Sequence, residues 1–258
     1  MTGASSGIGE AFAEVFAAHG YGLVLTARRE DRLQAVAARL HQAHAVDVQV
    51  IPADLSQPDA PARLCAEIAA RGLTIDALVN NAGYGIPGPY TRTTWEQHAA
   101  FLNVLVVSVA ELTRRLVPGM IDRGFGRIIN VASLAGLVPA PAGHTLYAAS
   151  KSFLIKFSEA LAHEVSHTGV HVTAVCPGFT YSEFHDATGT RQMVSRLPAF
   201  MWMNAADVAR AGYAAVSAGT PIYVTGRVNR VIALLARMLP QRLVSAANHR
   251  ASRAYRST

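Results

Sequence analysis

At 258 residues, 51% apolar and 16% charged, the chain has the composition of an ordinary globular protein and the length of one large α/β domain. It opens without a charged segment leading into an apolar one, and no run reaches the roughly 18 uninterrupted apolar residues that span a bilayer, which speaks against secretion and membrane spanning. The net charge of +6 is not spread evenly: residues 1–207 hold 15 basic against 17 acidic side chains, while residues 208–258 hold eight arginines and no acid. That pattern speaks against a domain built to track nucleic-acid phosphates and fits a cytoplasmic enzyme body with a basic C-terminal segment. Cys65 and Cys176 stand far apart without metal-ligand spacing, as two reduced thiols would.

In chain order, apolar β-branched runs alternate with stretches of helical period. Strands are expected at 21–27, 47–53, 76–82, 127–133, 170–176 and 221–226, with helices near 7–19, 30–43, 59–71, 94–123 and 148–167. This is the alternation of an α/β, doubly wound parallel sheet covered on both faces. Ligands of such sheets sit beyond the carboxyl ends of the strands, so the informative residues should follow each strand.

The first is a turn, "TGASSGIG". Gly3, Gly7 and Gly9 let the backbone bend sharply and approach a pyrophosphate, Ser5 and Ser6 lie within the turn, and Ile8 begins a helix whose free N–H groups favour an anion. Only Met1 and Thr2 precede Gly3, so the first strand is expected to be cut short, with the remainder encoded upstream of Met1.

This turn, "NNAG" at 80–83, and Ser133 followed by "YAASK" at 147–151 occur in order and together resemble the short-chain dehydrogenase/reductase family. The resemblance implies a single Rossmann-type domain over 1–258, a homodimer or homotetramer, a nicotinamide cofactor, and a catalytic Ser133, Tyr147 and Lys151. It also implies cofactor contacts from Asp54 and Leu55, from Asn81, Ala82 and Gly83, and from Pro177, Gly178 and Thr180. Ser182 stands where many relatives carry Thr.

Tyr147 and Lys151 lie four apart at the start of a helix and share one face. A phenol titrates near 10; an adjacent ammonium and an oxidised nicotinamide lower that value, so that Tyr147 can give a proton to a carbonyl oxygen or take one from an alcohol. Ser133, at a strand end, can hold the same oxygen by a hydrogen bond. The alternative from another class is a non-catalytic NADP(H) sensor on the same fold.

Cofactor choice is read in "TARRED". An NAD site typically carries an acid at the position of Ala27, whereas Arg28 can clamp a 2′-phosphate, so NADP(H) is expected. Arg29 and Arg32 are read as solvated helix charges. One family feature is out of register: an Asn of the central helix falls on Leu105, with Asn103 two positions earlier and about 200° away on a helix. Either the helix shifts locally to bring Asn103 in, or that Asn is lost; the register favours loss.

Substrate selection is expected from residues 84–94, 134–146 and 183–204, the last reading as a lid over an apolar pocket suited to a lipid-like, acyl or steroid-like carbonyl or alcohol. His185, alone in that stretch, is read as incidental. In the segment 227–258, Val228, Val231, Ile232, Leu235 and Met238 share one helical face. They are read as packing on the body or a second subunit, with a peripheral contact to an anionic membrane as the sharper alternative.

Overall fold

The computed structural model describes residues 1–140, 142–143, 145–183 and 198–238. Among these residues, strands and helices succeed one another in the expected order. They run α1 (Gly7–Ala18), β1 (Leu23–Leu25), α2 (Glu30–His44), β2 (Val48–Val50), α3 (Ala60–Ala70) and β3 (Ala77–Asn80) in the first half. The second half holds α4 (Trp95–Leu102), α5 (Ser108–Asp122), β4 (Gly126–Val131), α6 (Thr145–Glu164), β5 (Val170–Cys176), β6 (Phe179–Tyr181), β7 (Trp202–Asn204), α7 (Ala205–Ser217), β8 (Ile222–Val224) and α8 (Arg227–Met238).

Strands β3, β4, β5 and β8 form one parallel sheet in that order, β1 and β2 a second, and β6 and β7 a third, two-stranded one. Met1 and Thr2 lie between the first two. Thr26 N–H donates to Met1 O at 2.9 Å on one side, and Thr2 N–H donates to Val79 O at 3.0 Å on the other. The order across the molecule is therefore β2, β1, Met1–Thr2, β3, β4, β5, β8, and the carboxyl ends of these strands face one way. Burial explains the composition of the runs: Val79, Ile128, Ile129, Ala174 and Val175 are fully or almost fully enclosed, because helices cover both faces.

Three expectations change. The strands are shorter than their apolar runs; "YGLVLTA" contributes only Leu23–Leu25 as a ladder, since Tyr21 turns to pack on Phe16 and Tyr213 instead. The long helix over 94–123 is interrupted by a π-helical turn at Asn103–Val107 between α4 and α5. A π turn takes up an extra residue per hydrogen-bonded ring and so rotates α4 against α5.

The third change is α7, a helix absent from the expectations. Its buried residues Val208, Ala209, Gly212, Ala215 and Val216 have helical spacing but little bulk. It packs on α1, where Phe12 lies so close over Gly212 that a Cβ there would sit 2.7 Å from the ring.

Helix α8 turns the polar Asn229 inward and leaves Val231, Leu234, Leu235 and Met238 between 50% and 71% exposed. The expected apolar face therefore does not pack on the body. No helix among the described residues is long and apolar enough to cross a membrane.

Candidate active site

The turn after Thr2 is held by the end of β3. Thr2 Oγ1 accepts from the backbone N–H groups of Asn81 and Ala82, both at 3.0 Å, and Asn81 Nδ2 donates to the carbonyls of Thr2 and Gly3 at 3.1 Å each. Gly3 takes φ of 64° and Gly7 of 61°, the left-handed region that side chains resist. Gly9 serves differently: a Cβ on it would meet Gly3 O at 2.2 Å, so its bare backbone lets α1 start directly behind the turn. No side chain caps α1 at Ser6, and the first N–H groups are left open to a ligand.

The turn forms one end of a cleft of about 820 Å³. Gly3, Ser5, Ser6, Gly7, Ile8, Arg28, Asp54, Leu55, Asn81, Ala82, Gly83, Ser133, Tyr147, Lys151, Pro177, Gly178 and Thr180 all line it; of the expected site residues only Gly9 stands behind the wall. The cleft's volume, its glycine cradle and its open helix start suit a dinucleotide.

Near Tyr147 and Lys151, Ser133 follows β4 in extended backbone, and its hydroxyl accepts from Ala135 N–H at 3.1 Å. A hydrogen bond with Ser133 favours the Tyr147 phenolate, but burial outweighs it and pushes the phenol above its usual value of 10. Lys151, 5% exposed, donates from Nζ to Val131 O at 2.7 Å and lies 5.6 Å from the Tyr147 ring centre. Burial lowers its ammonium to about 8. The chain's own groups thus hold Tyr147 protonated; the lowering expected from the sequence is a contribution that a cationic nicotinamide would have to bring.

Asn103 does not turn towards Lys151. Its amide donates to Ser56 O at 3.0 Å and pins the turn in which Asp54 Oδ1 accepts from Ser56 N–H at 3.0 Å. Leu105 is buried with Leu55, Phe101 and Val104, beside Gly83, and Tyr84 and Tyr147 pack on the same cluster. The π turn shifts the helix without bringing an amide to Lys151.

Arg28 lines the cleft, exposed and in no ion pair among the described residues. Arg29 is a correction, since it lines the cleft too. Its Nη2 donates to Ser5 Oγ at 3.1 Å and Ser6 Oγ at 3.0 Å, and its Nη1 pairs with Glu183 at 3.0 Å. Arg32 pairs with the same carboxylate, so neither arginine is a merely solvated charge. Spacing offered no sign of Glu183, 154 residues from Arg29. Asn229 was also missed. It lies against Gly178, where a Cβ would approach its side chain to 2.5 Å, and its amide donates to Thr225 O at 2.8 Å. His185 and most of the expected lid, residues 184–197, lie outside the described residues.

The short chain dehydrogenase family model matches residues 1–192. The chain belongs to that family. A nodulation protein G from Rhizobium sp. (strain N33) is 36% identical over 90% of this chain and 93% of its own. A very-long-chain 3-oxoacyl-CoA reductase from Homo sapiens is 33% identical over 69% of this chain, and the match spans 58% of that longer protein. Among solved structures, a short-chain dehydrogenase from Sphingobium yanoikuyae in complex with NADPH has a TM-score of 0.80 and 32% identity, over 93% of this chain and 95% of that one. A family member from Burkholderia phymatum in complex with NAD has a TM-score of 0.80 and 28% identity over 91% and 90%. As a short-chain dehydrogenase, the chain is an oxidoreductase acting on a carbonyl or alcohol with a nicotinamide cofactor.

Proposed function

We propose that this short-chain dehydrogenase is an NADP(H)-dependent reductase of an apolar ketone or aldehyde, working reversibly on the corresponding alcohol. The observation that carries the reading is the convergence of Ser133, Tyr147 and Lys151 in a cleft that Arg28 also lines. A nicotinamide held in the cleft would supply the hydride. Tyr147 Oη gives its proton to the carbonyl oxygen as that oxygen gains charge, Ser133 Oγ donates a hydrogen bond to the same atom, and Lys151 stabilises the phenolate that remains. In the reverse direction the same phenolate takes the alcohol proton.

The cleft is also lined by Tyr84, Pro87, Ala100, Val104, Leu134 and Val138, which favours an apolar substrate. The acyl substrate named for the human relative supports an acyl or similarly bulky ketone. The exposed face of α8 supports assembly with a second copy.

The test is NADPH oxidation by the purified chain against a panel of 3-oxoacyl thioesters, cyclic and aromatic ketones, and short aldehydes. Turnover of bulky apolar ketones with NADPH, and little with NADH, is expected. Tight NADPH binding without turnover of any carbonyl points to the sensor, a reading that the leucine at position 105 favours.

A further inference from the structure

Arg29, Arg32, Ser5 and Ser6 make up an anion site at the open end of the cleft, and the chain fills it with its own carboxylate. Each serine hydroxyl accepts from Arg29 Nη2, at 3.1 and 3.0 Å, and keeps its own hydrogen to donate. Arg29 Nη1 donates to Glu183 Oε2 at 3.0 Å, and Arg32 donates to Glu183 Oε1. Glu183 arrives from β6, past Ser182, whose Cβ would lie 3.0 Å from a Cβ on Gly7. The carboxylate therefore reaches over the glycine turn to helix α2 on the far wall.

We propose that Glu183 is a specificity residue: it occupies the arginine pair as an internal competitor that a ribose 2′-phosphate displaces and an unphosphorylated ribose does not. This rests on the NADP(H) reading above. Both ion pairs join side chains that are nearly half exposed, so each is weak and easily exchanged. A phosphate dianion offers three oxygens where the carboxylate offers two, carries more charge, and can accept from Arg28 and the two serine hydroxyls as well. NADP(H) thus gains the full donor set at the expense of two surface pairs. NAD(H) has nothing to put there and leaves Glu183 in place. Arg32 holds the carboxyl below its usual range, with Arg29 adding to the effect, so the competitor stays charged at neutral pH.

Binding of NADPH, NADH and 2′,5′-ADP to the wild type, Glu183→Gln, Glu183→Asp and Asp31→Asn, followed by calorimetry, tests the assignment. Asp31 is an exposed acid in the first turn of α2 and reports the general effect of removing a negative charge. Glu183→Gln should tighten NADPH and 2′,5′-ADP roughly three- to tenfold while leaving NADH unchanged. Glu183→Asp should stay near wild type and Asp31→Asn should do little. Weaker NADPH binding in Glu183→Gln would make the residue a clamp and overturn the proposal. Equal tightening of NADPH and NADH, or the same gain in Asp31→Asn, would reduce it to a general field and overturn it too. Failure of the wild type to bind either cofactor overturns the functional reading and this inference together. NADPH binding that no Glu183 variant alters overturns the inference alone.

Discussion

Asn103 donates its side-chain amide to the backbone carbonyl of Ser56 at 3.0 Å, and so braces the Asp54–Ser56 turn of the cleft, where we propose the adenine binds, rather than Lys151. Asn103→Ala should therefore raise the KM for the cofactor several-fold and leave kcat close to wild type. Steady-state kinetics at saturating carbonyl substrate separate the two constants. A fall in kcat with an unchanged KM would place the amide in the chemistry after all.

On the proposed mechanism, Tyr147→Phe removes the proton donor and little else. Turnover should fall by about 10² or more, because positioned acid catalysis commonly supplies that much, while NADPH binding by fluorescence titration stays near wild type. Retention of a tenth of the activity is incompatible with the assigned role.

Arg28 faces the cleft without an ion pair among the described residues, so Arg28→Ala should weaken NADPH by about tenfold or more and NADH hardly at all. Equal weakening of both would make Arg28 a wall residue and remove the main sequence argument for NADP(H).

Two buried groups near one another set opposite pH slopes. The Lys151 ammonium titrates at about 8 in the folded chain against an ordinary 10.5. Between those values the unfolded chain holds the extra proton, and stability rises with pH. The Cys176 thiol is pushed from 9.0 to about 12 by burial; there the unfolded thiol ionises first, and stability falls as pH rises. Urea midpoints measured across this range should show the rise from about pH 8 vanish in Lys151→Met, with the fall at higher pH remaining. A rise that persists in Lys151→Met would assign it to another group.

The outward face of α8 gives the assembly prediction. Leu234→Ser combined with Leu235→Ser touches two side chains that are 57% and 50% exposed, so folding should be unchanged. Sedimentation velocity should then show a smaller species than the wild type. Unchanged sedimentation, together with loss of binding to anionic vesicles, would instead assign the face to a lipid surface.

The order of strands and helices was legible because the central strands are buried on both sides and carry mostly apolar, β-branched runs, such as Gly126–Val131 and Val170–Cys176. Many of the cleft residues were legible because they follow strand ends, whereas Tyr147 and Lys151 lie within α6 and stood out through the family motif. Helix α7 was not, since its buried positions are filled by Ala209, Gly212 and Ala215, and small side chains give little contrast between faces. Tyr147 and Lys151 could be placed on one helix face from their spacing, but the direction of the phenol's shift depends on burial. Likewise Glu183 meets Arg29 only through the path of β6, which no local pattern encodes.

The close packing of Phe12 over Gly212 has a consequence for how the cleft holds its shape. From Gly7 the chain of contacts passes along α1 to α7, back into β7, across the ladder to β6 where Thr180 aligns with Met203, and through Ser182 to Gly7 again. These pieces close into a ring of contacts, so the spacing between Ser182 and the glycine turn rests in part on the bare backbone at Gly212 on the far side of the molecule.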